Sequence, residues 1–162
     1  MLPALPLSPM QAVRKILVPV DFSEPSRVAL EHAAVWAVPF GAKIDVLHVW
    51  QAPAFVPLPS LPEASPADAT LIELVRKAAA QALDRFVAEV TKQGVPVREV
   101  LSEPGSPAHT IVDVAKKGGY DLLVLGTHGH TGLAHALIGS VAERVVRHAS
   151  CPVLTVPSPH PK

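Results

Sequence analysis

The chain has 162 residues, 49% of them apolar and 4% aromatic, with 14 Lys and Arg against 14 Asp and Glu. That size suits one domain with an aliphatic core. Zero formal charge and a pI ≈ 7.1 exclude bulk attraction to nucleic acid or an anionic membrane, so any bound anion must be caught locally.

The opening "MLPALPLSPMQAVRK" has no early positive charge and three prolines. It fails as a signal peptide, and residues 1–12 read as a disordered tail. "KILVPVDF" (15–22) is too continuously apolar for one-sided alternation, which predicts a fully buried parallel strand. "SEPSRVALEHAAVWAVPFG" (23–41) has helical spacing, with Val28, Ala29, Ala33, Trp36 and Ala37 on one face. Ser23 can cap that helix, Pro25 fits its first turn, and Gly41 lies past its end. "KIDVLHVW" (43–50) is the second strand.

Five prolines among residues 51–66 predict an extended surface linker inside the domain. A long amphipathic helix follows from Ala67 to Gln93, with Leu71, Leu74, Val75, Ala78, Ala82, Phe86 and Val90 inward. Residues 95–103 give the third strand. Residues 105–119 give the third helix, with Pro107 near its start and Gly118 past its end. The fourth strand is 120–126, the fourth helix 140–150 and the fifth strand 151–157, leaving 158–162 as a short tail. Strict alternation of buried strands and helices predicts an α/β fold: one doubly wound, five-stranded parallel sheet with helices on both faces and right-handed crossovers. Cys151, the single cysteine, reads as a small buried hydrophobe, and a reducing cytoplasmic setting suits it.

The stretch Leu122–Ala142 has no charged Asp, Glu, Lys or Arg, yet Gly126, His128, Gly129, His130, Gly132 and Gly139 interrupt it. A membrane-spanning helix wants continuous apolar side chains there, so no span is expected. Gly126, Gly129, Gly139 and Ser140 form G-x2-G-x9-G-S. Glycine permits positive φ and close backbone approach, and turn amides can form a nest for an anion. Gly139 and Ser140 then open a helix whose free N–H groups and dipole favour phosphate. Neither G-x4-G-K-[ST] nor G-x-G-x-x-G is present, and no arginine finger or base accompanies the loop, so rapid phosphoryl transfer is not expected.

His128, His130 and His135 could be a zinc trio, but no Cys, Asp or Glu joins them in the segment, and loop-structural or ligand-contacting histidines fit better. His48 reads as a satisfied core histidine near a strand end. Asp21 has two readings of similar weight: acceptor for a ribose or base donor (or holder of Mg²⁺), and an Asx-type cap for the following helix. Val20 and Val49 could line an apolar slot for a purine face. In such sheets ligands bind at the carboxyl ends of strands where strand order reverses, and for an order 3-2-1-4-5 that crevice lies between strands one and four.

"KILVPVDFSEPSRVALEHA", "VLHVW", "YDLLVLGTHGHTGL" and "IGSVAERVVRHASCPVLTV" resemble the universal stress protein (UspA-like) family, ATP-binding branch, over about residues 13–157. The resemblance implies a Rossmann-like sheet of order 3-2-1-4-5 and a homodimer paired through 153–156. Carried over by position, it implies nucleotide contacts at Pro19, Val20, Asp21 and Val49. It adds Leu125, Gly126, His128 and Gly129 after strand four, and Gly139, Ser140 and Val141 at the helix start. ATP, ADP or AMP is the expected ligand, with Mg²⁺ or Mn²⁺ accompanying the phosphates, and an unknown protein partner completes the expectation. A nucleotide-dependent stress-signalling module leads. A slow ATPase, a nucleotidyl-transferring enzyme of the same superfamily and a nucleotide-free dimeric scaffold are the alternatives.

Overall fold

Period-two alternation in the strands divides the core into two halves. The computed structural model describes residues 13–52, 66–127 and 138–157. Its strands are β1 (Lys15–Val20), β2 (Lys43–Trp50), β3 (Val97–Pro104), β4 (Leu122–Gly126) and β5 (Val153–Val156). They alternate with helices α1 (Glu24–Phe40), α2 (Pro66–Lys92), α3 (Pro107–Gly118) and α4 (Ser140–His148). All neighbours pair in parallel in the order β3-β2-β1-β4-β5. Ile16, Val18, Val20, Ile44, Val46 and Val124 pack beneath α1 and α2. Leu17, Leu47, Leu123 and Leu125 pack on the opposite face against α3 and α4. No helix among the described residues is long and apolar enough to cross a membrane.

Helix ends follow local chemistry. Ser23 Oγ accepts from the Ser26 amide, Pro25 occupies the first turn, and Gly41 closes α1 at φ 61°. Gly118 remains helical, and the left-handed cap of α3 is Gly119, one residue later than the sequence suggested. β2 spans the expected residues and β3 is shifted to end at Pro104, whereas β1, β4 and β5 are shorter than expected; β1 ends at Val20, and Asp21 and Phe22 already belong to a turn.

Two helix faces depart from the pattern reading. On α1, Trp36 is 48% exposed, and Leu30 occupies the core in its stead. On α2, Ile72, Leu83 and Val90 are buried while Leu71 and Leu74 face solvent. The Ala-rich helix has two adjacent apolar stripes, and its own periodicity cannot choose between them. Trp50 at the end of β2 chooses, by packing on Ile72, Val75 and Ala79.

At the amino ends of the strands a buried charge ties the sheet together. Asp45 on β2 is fully buried and accepts from Arg98 Nε (2.8 Å), Arg98 Nη2 and Tyr120 Oη (2.8 Å). Such a charge is tolerable inside a protein only when paired this completely. The Lys15 ammonium lies 4.2 Å from the Tyr120 ring centroid and donates to Gly118 O. Asp121 accepts the Arg14 and Lys15 amides, both at 2.9 Å.

The phase of α2 predicts a pair of outcomes in urea unfolding. Leu83→Ala should cost about 2–5 kcal/mol as a core truncation, and Leu74→Ala no more than about 0.5 kcal/mol. Burial, then the hydrogen bond to Asp45, raises the Tyr120 phenol well above its ordinary value. A group raised in the folded state contributes stability below its unfolded pKa of about 10, and that stability is lost as pH climbs above it. Tyr120 is the only tyrosine, so tyrosinate absorbance in an alkaline titration should rise only as the chain unfolds, and a transition near pH 10 with circular dichroism unchanged would contradict the network.

Candidate functional site

After β1 the chain winds outward through β2 and β3, and it then returns to the other side as β4 and β5. The segments leaving β1 and β4 therefore diverge, and a cleft of about 380 Å³ opens at the carboxyl ends of β1, β2 and β4. Pro19, Val20, Asp21, Val49, Leu125, Gly126, Gly139, Ser140 and Val141 all line it. His128 and Gly129, with His130 and His135, lie outside the described residues. Among those that are described, no three His, Cys, Asp or Glu side chains gather as a metal site.

Sequence reasoning missed Ser26, Leu47, Gln51, Pro107, Ile111, Thr127 and Ala142, which also line the cleft. Leu47 and Gln51 share the period-two face of Val49, and that alternation was the available signal. Pro107 and Ile111 are brought in by the docking of α3, for which the sequence holds no local sign.

The floor of the cleft is held from behind. His48 Nδ1 donates to Val20 O at 2.9 Å, and the Phe22 ring lies 4.3 Å from the His48 ring. Phe22 also meets Phe86 of α2 edge-on at 5.8 Å. Phe22 adopts φ 66°, a conformation that bulky side chains avoid, and packing on two rings holds it there. Asp21 Oδ1 accepts the Ser23 amide at 3.1 Å and the Ser23 hydroxyl, while Ser26 Oγ donates to Ser23 O at 2.9 Å. The Asx-type reading of Asp21 is thus realised in the turn, and the same residue lines the cleft.

On the β4 side, Thr127 N donates to Val156 O (2.9 Å) and Gly139 N donates to Thr127 O (2.5 Å). These bonds draw the two ends of the intervening segment together and fix where α4 begins. Gly139 is the N-cap, without a side-chain capping bond, and its carbonyl accepts from Glu143 N at 2.9 Å. The amides of Ser140, Val141 and Ala142 precede that first helical bond, and all three residues line the cleft. Their N–H groups and the positive end of α4 make an anion-receptive wall. No Lys or Arg is among the described lining residues.

Gly126 and Gly139 work differently from the expectation of positive φ, and Gly129 lies outside the described residues. Gly139 has φ −73° and ψ 157°, open to any residue, and Gly126 is not in the left-handed region. A Cβ on Gly126 would stand 2.9 Å from both Pro25 Cβ and Pro25 O. Gly126 is therefore needed for the close approach of α1. Cys151 is half-buried against the α3–α4 core, and burial pushes its thiol pKa up, which suits a packing role.

Comparison with known proteins agrees with this architecture. The family model described as "Universal stress protein family" matches residues 12–157. The chain belongs to the universal stress protein family. It is 38% identical over 146 residues to universal stress protein MJ0531 of Methanocaldococcus jannaschii, covering 90% of this chain and 83% of that one. Universal stress protein UspA from Lactobacillus plantarum superposes with a TM-score of 0.73 at 32% identity, covering 89% and 97% of the two chains. Two other solved members hold nucleotides. One is a universal stress protein in complex with cAMP (26% identity, TM-score 0.58, 91% and 99% covered). The other is the Archaeoglobus fulgidus protein in complex with dAMP (25%, 0.55, 89% and 98%).

In this universal stress protein, Gly126→Ala should lower the thermal midpoint, because the new methyl displaces α1 from β4 at a cost of about 1–3 kcal/mol. An unchanged denaturation midpoint would show that close packing on Pro25 is not why glycine stands there.

Proposed function

We propose that this universal stress protein is an adenine-nucleotide-binding module, with ATP as its principal ligand, whose occupancy signals a stress state to a partner. The observation that carries the reading is the first turn of α4, whose three leading amides have no partner among the described residues and belong to residues that line a cleft beside an apolar slot. Backbone amides and a helix dipole can hold phosphate without a cationic side chain. Pro19, Val20, Leu47 and Val49 supply the apolar surface for a base at the other end of the cleft. His128 and Gly129 would complete the contacts from the segment that follows β4. A Mg²⁺ or Mn²⁺ ion would arrive with the phosphates, Asp21 being the one carboxylate among the described lining residues. The cAMP and dAMP complexes of the two solved relatives support an adenine nucleotide as the ligand class.

The proposed unit is a homodimer paired through β5. Among the described residues that strand ends the sheet, with no strand on its outer side. Pro152 O and Val156 O accept from β4 and the residue after it, so by alternation Val153 and Thr155 turn their backbone groups to the free edge. An unpaired edge of this kind is a template for another strand.

Gly139→Asp separates folding from binding. The backbone at Gly139 accepts any residue, and Asp is a preferred N-cap, so stability should hold or rise by a few tenths of a kcal/mol. The new carboxylate also occupies the helix tip and repels phosphate. Calorimetric titration should therefore show ATP bound by the natural chain, sedimenting at twice its mass, and at least about a hundredfold weaker binding in the variant. Absence of binding by the natural chain, together with no nucleotide released on denaturing fresh protein, would overturn the reading.

A further inference from the structure

The order of the strands gives the cleft a direction. The anion-receptive amides belong to α4, beyond the end of β4, and β2 lies two places away across β1. Neighbouring strands are about 4.8 Å apart, so the end of β2 stands about 10 Å across the cleft from that of β4. A nucleotide whose phosphates meet α4 therefore brings its base to β2. There the chain alternates, placing Leu47, Val49 and Gln51 on the cleft side while Trp50 packs under α2.

Gln51 is the first residue past β2, is exposed, and lines the cleft. Its side-chain amide has no hydrogen-bond partner among the described residues. The other polar side chains of the wall differ. Asp21 is engaged by Ser23, Ser26 donates to Ser23 O, Thr127 is buried, and Ser140 stands at the α4 tip. Gln51 alone among the described lining residues offers an amide donor and an amide acceptor together, and it does so where the apolar slot of Val20 and Val49 would seat a ring.

We propose that Gln51 is the residue that selects adenine, an inference that rests on the nucleotide reading above. Its amide oxygen accepts from the adenine N6 amino group, and its amide nitrogen donates to N7. Guanine presents two acceptors, O6 and N7, on that edge, so one half of the glutamine amide would face a carbonyl oxygen unpaired. A pair of bonds of this kind discriminates between bases, and a site that leaves a polar group unpaired rejects the wrong ligand strongly.

The test is calorimetric titration of the full chain, natural and Gln51→Ala, with ATP, GTP and 7-deaza-ATP. The natural chain should prefer ATP over each of the other two by at least about fivefold. Gln51→Ala, at an exposed position, should keep its circular dichroism and bring all three affinities within about twofold of one another. If the natural chain binds ATP but the variant keeps the same preferences, or weakens all three ligands equally, the assignment of Gln51 is overturned while the nucleotide reading stands. If the natural chain binds none of them, both are overturned.

Discussion

Burial of β1 on both faces is the constraint from which the rest of the structure follows. Ile16 and Val18 enter one core and Leu17 the other, each at zero exposure. A strand so enclosed must sit in the middle of the sheet, and its continuation must rise out of the top edge before it can turn. Once β2 and β3 occupy one side of it and β4 and β5 the other, the segments leaving β1 and β4 have to part. The cleft is the space that this parting leaves.

What surrounds that space is made stiff by ordinary packing. The His48 bond to Val20 O and the stack of Phe22 on His48 brace the end of β1 from the side opposite the cleft. A residue at φ 66° persists there because two aromatic contacts and an Asx turn define its surroundings. On the other wall, the Val156–Thr127–Gly139 relay of backbone bonds aims the tip of α4. The anion-receptive amides are thus placed by the sheet itself, through its edge strand, and charge enters only as the dipole of one short helix.

The opposite pole of the molecule contrasts with this. There Asp45, Arg98, Tyr120 and Lys15 saturate one another across β1, β2, β3 and the approach to β4. Charges are concentrated where they hold register and are scarce where a ligand would enter. That division suits a protein of zero formal charge: local geometry makes its cleft receptive, and the overall field contributes little.

The sequence by itself determined the alternation of elements, the two-sided burial of β1, β2 and β4 (β3, at the edge, is largely exposed) and the caps at Ser23 and Gly41, because each rests on local periodicity or on the backbone preference of one residue. Their places at the ends of strands one and two marked Val20 and Val49 as candidate cleft residues, and spacing marked Gly139 and Ser140 as a helix start. Only the tertiary structure decided which stripe of α2 is buried, since Trp50 makes that choice from another element. It alone gave Gly126 its reason, a helix pressed within 2.9 Å, and brought Pro107 and Ile111 to the cleft. Those facts depend on residues distant in the chain meeting in space, and no local pattern encodes which surfaces a right-handed crossover will bring together.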